Sequence, residues 1–224
     1  MSDLSDCCVL FDLDGTLIDT AGDLAAAMNH ALMKAGRRAV PPERVRALVG
    51  HGARAMLVRG FQETGGEVSA TEMDAHVETF LDYYLAHIAD RSRPFPLVVD
   101  AIAELAGAGA AIAVCTNKRE RPARLLIDAL GLSDRFDAIV GMDTIGIAKP
   151  DPAPALHCLK LAGRRRGVFI GDSDTDIRTA SAAGMPCLAA TFGYGPLTLA
   201  GNAFAAFHSY SGVPALVRQA LALA

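Results

Sequence analysis

Three short apolar runs in this chain each end on polar residues able to do chemistry. Val9-Leu10-Phe11 runs into Asp12-Leu13-Asp14-Gly15-Thr16. Ala110 to Cys115 stops at Thr116-Asn117, and Gly167 to Ile170 stops at Gly171-Asp172-Ser173-Asp174. A pattern of helical period follows each run. Apolar runs that alternate with helices read as strands of a parallel sheet covered on both faces. In open sheets of this kind, ligands bind outside the carboxyl ends of the strands. Three strands therefore deliver Asp12, Thr116 and Asp172 to one edge, which predicts a reaction centre there.

The rest of the chain sets the architecture. From about Thr20 to Arg91 the patterns are helical, with stripes over Ala21–Ala35, Glu43–Phe61 and Thr71–Ile88. Gly50-His51-Gly52 splits the middle stripe into two helices joined by a turn. From about Pro94 helix and strand alternate. Strands are expected at Ala110–Cys115, Ala138–Val140, Val168–Ile170, Cys187–Ala190 and Ala203–Phe207, and a last helix starts at Val213. Alternation of this kind implies right-handed crossovers between parallel strands. The strand at Val9 has no partner until the helical block has passed. The chain therefore reads as an α/β protein with a Rossmann-like parallel-sheet core, residues 1–18 and 93–224. A helical domain, residues 19–92, is inserted after the first strand.

The totals exclude several classes. The chain has 224 residues, of which 51% are hydrophobic, enough for a sizeable core. Its formal net charge is −4, so no nucleic-acid partner is expected. Arg164-Arg165-Arg166 is the densest basic cluster and reads as a solvated helix-to-strand turn. The five cysteines form no CxxC pair and no zinc spacing with histidine, which suits buried thiols in a reducing compartment. No signal-peptide pattern or membrane-length apolar stretch is present, so a cytoplasmic location without membrane contact is expected.

The carboxylates at the strand ends repel one another if they cluster. Either their pKa values rise or a cation sits among them. An oxygen-only site suits Mg²⁺, which takes a few carboxylates, water and a substrate phosphate. A carboxylate can also act as a nucleophile and form an aspartyl-phosphate. A transferring phosphoryl group spreads negative charge over its oxygens, and a hydroxyl at Thr116 and an ammonium at Lys149 would stabilise it. Asp174 opens a helix, and an N-cap role suits it better than metal binding.

These segments resemble the four motifs of the haloacid dehalogenase superfamily, in the family's order and spanning essentially the whole chain. They are Phe11-Asp12-Leu13-Asp14-Gly15-Thr16-Leu17, Thr116-Asn117, Lys149-Pro150 and Gly171-Asp172-Ser173-Asp174-Thr175-Asp176. The resemblance implies that Asp12 is the nucleophile and a Mg²⁺ ligand. It implies that Asp14 is the general acid and base, with its main-chain carbonyl on the metal. Thr116 and Asn117 would meet the phosphoryl group, and Lys149 would pair with both that group and Asp12. Asp172 would ligate the metal, and Asp176 would support it directly or from behind. The helical insert corresponds to the family's α-helical cap.

Leu48-Val49-Gly50-His51-Gly52-Ala53 and Ala190-Thr191-Phe192-Gly193-Tyr194-Gly195 resemble segments of phosphoglycolate phosphatases. The expected substrate is therefore a small phosphorylated metabolite, with 2-phosphoglycolate first. In the cap, His51 and Arg54 are the residues expected to touch its leaving group, since an arginine fork suits a carboxylate. The Tyr83-Tyr84 pair reads as helix packing. A phosphomutase of the β-phosphoglucomutase type, phosphatases for sugar phosphates, nucleotides or pyrophosphate, and a phosphate-binding protein remain open alternatives.

Overall fold

The computed structural model describes residues 3–46, 48–50 and 52–223. The first half contains β1 (Cys7–Phe11), β2 (Ile18–Asp19), α1 (Ala21–Lys34), α2 (Pro42–Arg46), α3 (Ala53–Thr64) and α4 (Ala70–Ala86). Then come β3 (Arg93–Pro94), α5 (Val98–Gly107), β4 (Ala111–Cys115), α6 (Glu120–Ala129), β5 (Ala138–Val140) and α7 (Ala153–Leu161). The chain ends with β6 (Arg166–Gly171), α8 (Asp174–Ala182), β7 (Cys187–Ala190), β8 (Ala205–Phe207) and α9 (Val213–Ala222).

Six strands form one sheet in the order β5-β4-β1-β6-β7-β8. Every neighbouring pair is parallel, with Val9 of β1 level with Ile112 of β4 and Val168 of β6. After β1 the chain builds outward on one side through β4 and β5, then returns to the other side at β6. The strand order therefore reverses about β1, and such a switch point opens a crevice at the carboxyl ends of the strands. Asp12 is the first residue past β1.

All of β1 is buried, because helices cover both faces. Val9 and Phe11 point into one core layer with Ile112, Val114, Val168 and Ile170. Cys8 and Leu10 point into the other with Ala113, Phe169 and Cys158. All five cysteines are buried and free. Among the described residues no helix is long and apolar enough to cross a membrane.

The helices α1 to α4 form an N-terminal helical region over the crevice. Gly60 of α3 lets that helix approach α1, since a Cβ there would lie 3.1 Å from a methyl of Leu32. Two crossings join this region to the sheet, and they pair as a small antiparallel ribbon, β2 with β3. The carboxylate of Asp23 in α1 fastens the second crossing by accepting from the backbone N–H groups of Arg91 and Ser92 and from the Ser92 hydroxyl. The ribbon is absent from the sequence pattern, because two-residue strands carry no alternation to read.

Two local expectations are corrected. Arg166 opens β6 rather than lying in a turn. Ser173, not Asp174, caps α8: its hydroxyl accepts from the Asp176 N–H, and the Asp176 carboxylate accepts from the Ser173 N–H. Asp174 is instead engaged by the Thr198 hydroxyl and the Leu199 N–H.

Candidate active site

Asp12 and Asp14 leave the same strand but take different partners. The Asp12 carboxylate lies 2.9 Å from Lys149 Nζ. Asp14 lies 3.1 Å from Lys118 Nζ through both of its oxygens and accepts from the Thr20 hydroxyl at 2.7 Å. The turn between them needs Gly15, whose φ is +83°, a conformation that disfavours a side chain. A Cβ on Gly15 would also stand 2.5 Å from the Asp172 carboxylate. The same sequence that ends β1 thus sends one acid toward β6 and the other toward the loop after β4.

Lys149 is the hub of the deeper group. Its side chain is 2% exposed and contacts Asp176 at 2.7 Å as well as Asp12. Burial works against the ammonium, yet Asp12 and Asp176 outweigh it and hold the lysine well above the usual range. The Asn117 amide fixes the Lys149 backbone by accepting from its N–H at 2.9 Å and donating to its C=O at 3.0 Å. That contact gives Asn117 a positioning role beside the substrate contact expected of it. Thr116 is buried next to it, and its hydroxyl oxygen accepts from the Lys118 N–H. The hydroxyl hydrogen is left to donate to a ligand.

Asp12, Asp172 and Asp176 bring one carboxylate oxygen each within 4.8 Å of one another. Burial, opposed by Lys149 and reinforced by Asp176 and Asp172, pushes the Asp12 carboxyl up to about 7. Burial and the Asp176 charge also raise Asp172, against hydrogen bonds from Tyr194, Thr16 and Gly195. Those bonds come from the Thr16 hydroxyl at 2.7 Å and the Tyr194 N–H at 2.7 Å. Two glycines make room for this carboxylate and its neighbour. A Cβ on Gly193 would meet Asp172 at 2.2 Å, and one on Gly171 would meet Asp176 at 2.3 Å. An all-oxygen donor set in which Asp12 and Asp172 resist ionisation without a counter-charge fits a hard divalent cation. Asp176 gives one oxygen to Lys149 and the other to the Ser173 cap.

A cavity of about 540 Å³ joins the sheet edge to the helical region. Its floor carries Asp12, Asp14, Thr116 and Lys149, and its roof is largely apolar, with Leu24, Met56 and Phe80. Arg54 lines the cavity as expected of a residue near the leaving group, and its guanidinium pairs with Asp74 of α4 at the surface. His51 lies outside the described residues. Lys118 and Tyr84 also line the cavity, beyond the residues expected from the sequence. Tyr84 does more than pack, because it lines the cavity with its ring 4.7 Å from Lys118 Nζ. The signal for Lys118 was its place two residues past Thr116 at a strand end; Tyr84 gave none, since an aromatic on a helical stripe reads as core.

The model of the haloacid dehalogenase-like hydrolases matches residues 9–190. The chain belongs to that family. A phosphoglycolate phosphatase of Mesorhizobium japonicum is 45% identical over 188 residues, covering 83% of each chain. One from Caulobacter vibrioides is 42% identical over 218 residues, 96% of this chain and 92% of its own. Among solved structures, that of a predicted phosphoglycolate phosphatase from Haemophilus somnus superposes with a TM-score of 0.85 at 27% identity. It covers 92% of this chain and 95% of that one. As a haloacid dehalogenase-like hydrolase, the chain brings the residues of the four motifs together at one sheet edge.

Proposed function

We propose that this hydrolase is a Mg²⁺-dependent phosphatase that acts on 2-phosphoglycolate through an aspartyl-phosphate at Asp12. One observation carries the reading: a carboxylate at the switch point pairs with Lys149 and clusters with two further acids. The names of the relatives support the substrate. Asp12 attacks phosphorus, while the Thr116 hydroxyl and Lys149 ammonium hold the phosphoryl oxygens. Asp14 protonates the departing alkoxide. It then takes a proton from the water that attacks the acyl-phosphate, so one group serves both half-reactions. Asp12, Asp172 and the main-chain carbonyl of Asp14 would hold the metal, with Asp176 behind them. A bound Mg²⁺ would offset the repulsion between the nucleophile and the phosphate.

The helices of residues 19–92 act as a cap, and their apolar roof excludes water while the acyl-phosphate stands. The test is phosphate release from a panel of small phosphate esters with Mg²⁺ and then with EDTA. An EDTA-sensitive preference for 2-phosphoglycolate is expected. Equal rates across sugar phosphates and nucleotides would discard the substrate, and isomerisation of β-glucose 1-phosphate would favour a mutase.

A further inference from the structure

Asp14 donates its proton to the ester oxygen, so the rest of the leaving group extends from the Asp14 side of the cavity. Two groups there have hydrogen-bonding capacity to spare. The first is Lys118, whose side chain is 9% exposed. An ammonium has three donors. It donates to the two oxygens of Asp14. The second is the Tyr84 hydroxyl, which is buried and has no partner among the described residues. Such a group is costly to leave unpaired, and the residue that carries it lines the cavity.

The other cations near the cavity are engaged. Lys149 is held between Asp12 and Asp176, Arg54 pairs with Asp74, and Arg119 faces Asp143. Lys118 and Tyr84 are also neighbours across the two parts of the molecule, one from the loop after β4 and one from α4.

We propose that Lys118 and Tyr84 form the leaving-group subsite, in which the ammonium and the phenol hydroxyl bind the substrate's carboxylate. This assignment rests on the phosphoglycolate reading above. The carboxylate of a glycolate leaving group lies one methylene from the ester oxygen. It therefore reaches an ammonium that already touches the acid protonating that oxygen. When it binds, Lys118 exchanges part of its contact with Asp14 for the substrate. Tyr84 contributes only when the helical region covers the sheet edge, so recognition of the carboxylate favours closure.

The experiment compares kcat/KM for 2-phosphoglycolate and for 2-hydroxyethyl phosphate, which replaces the carboxylate by a neutral alcohol. Wild type, Lys118→Met and Tyr84→Phe are measured with Mg²⁺. A charge-assisted hydrogen bond is lost in the first variant and a neutral donor in the second. The preference for 2-phosphoglycolate should fall about tenfold or more in Lys118→Met and about threefold in Tyr84→Phe. Equal losses on both esters, or an unchanged preference in both variants, would overturn the subsite. If Lys118→Met does not fold or is inert, Tyr84→Phe alone decides. Wild type that hydrolyses p-nitrophenyl phosphate but not 2-phosphoglycolate contradicts the substrate reading instead. The subsite is then judged by inhibition of that hydrolysis by glycolate. Weaker inhibition in the variants supports it, and unchanged inhibition overturns it.

Discussion

Asp12 sits where two opposed effects meet. Burial and its acidic neighbours favour the protonated carboxyl, Lys149 favours the carboxylate, and the balance lies near neutrality, at about 7. A nucleophile needs the charged form, and a cation among the acids supplies it. The sign of the pH dependence follows. The folded carboxyl keeps its proton to a higher pH than an unfolded one. Metal-free protein therefore loses stability as pH rises toward about 7. Binding of Mg²⁺ must displace that proton, so affinity should tighten from about pH 6 to about pH 8. Calorimetry at several pH values measures this. An affinity that is flat with pH, or weakens as pH rises, would contradict the assignment of Asp12 as a ligand. The places of Asp12, Thr116 and Asp172 at one sheet edge were legible because each follows an apolar run, whereas Lys149 was singled out by the resemblance of Lys149-Pro150 to a family motif. The partners of Asp176 and Lys118 were not legible, since they depend on which loops meet across the sheet edge.

At the scale of elements, α1 shows how the sheet edge and the helical region are tied. Its first-turn donors have no side-chain cap from Thr20. The Tyr194 hydroxyl accepts from the Thr20 N–H at 2.7 Å and the Ala21 N–H at 3.1 Å, and it donates to Asp19. The backbone N–H of the same residue holds Asp172. Tyr194→Phe removes the first set of contacts and keeps the second. It should lower stability by about 1–3 kcal/mol while Mg²⁺ affinity stays within about twofold. Thermal melts and metal titration read the two effects separately, and a large loss of affinity would mean that the hydroxyl also orders the metal site. In α8 the Ser173 cap can be tested alone. Ser173→Ala should cost about 1 kcal/mol, a fall in Tm of about 2–4 °C for a chain of this size. No change in Tm would show that the cap is not fastening the helix. The main strands and helices were readable from period, down to the bounds of Ala138–Val140 and Cys187–Ala190. The β2–β3 ribbon was not, because it is set by where two distant crossings pass each other.

For the whole molecule, the strand order places β1 at the switch point and the helical region over it. The motifs at Asp12, Thr116, Lys149 and Asp172 lie far apart in the chain, yet all line one cavity. The order of strands and helices announced this convergence; the leaving-group side of the cavity, where Lys118 meets Tyr84, depends on how the inserted helices settle on the sheet. In the proposed reaction the phosphoryl group passes through Asp12. The most direct test of that route is a single turnover with ³²P-labelled 2-phosphoglycolate and Mg²⁺, stopped in acid within milliseconds. A transient, base-labile label is expected on the peptide carrying Asp12, with neither label nor turnover above about 1% of wild type in Asp12→Asn. Rapid phosphate release with no label at Asp12, or undiminished turnover in that variant, would contradict it.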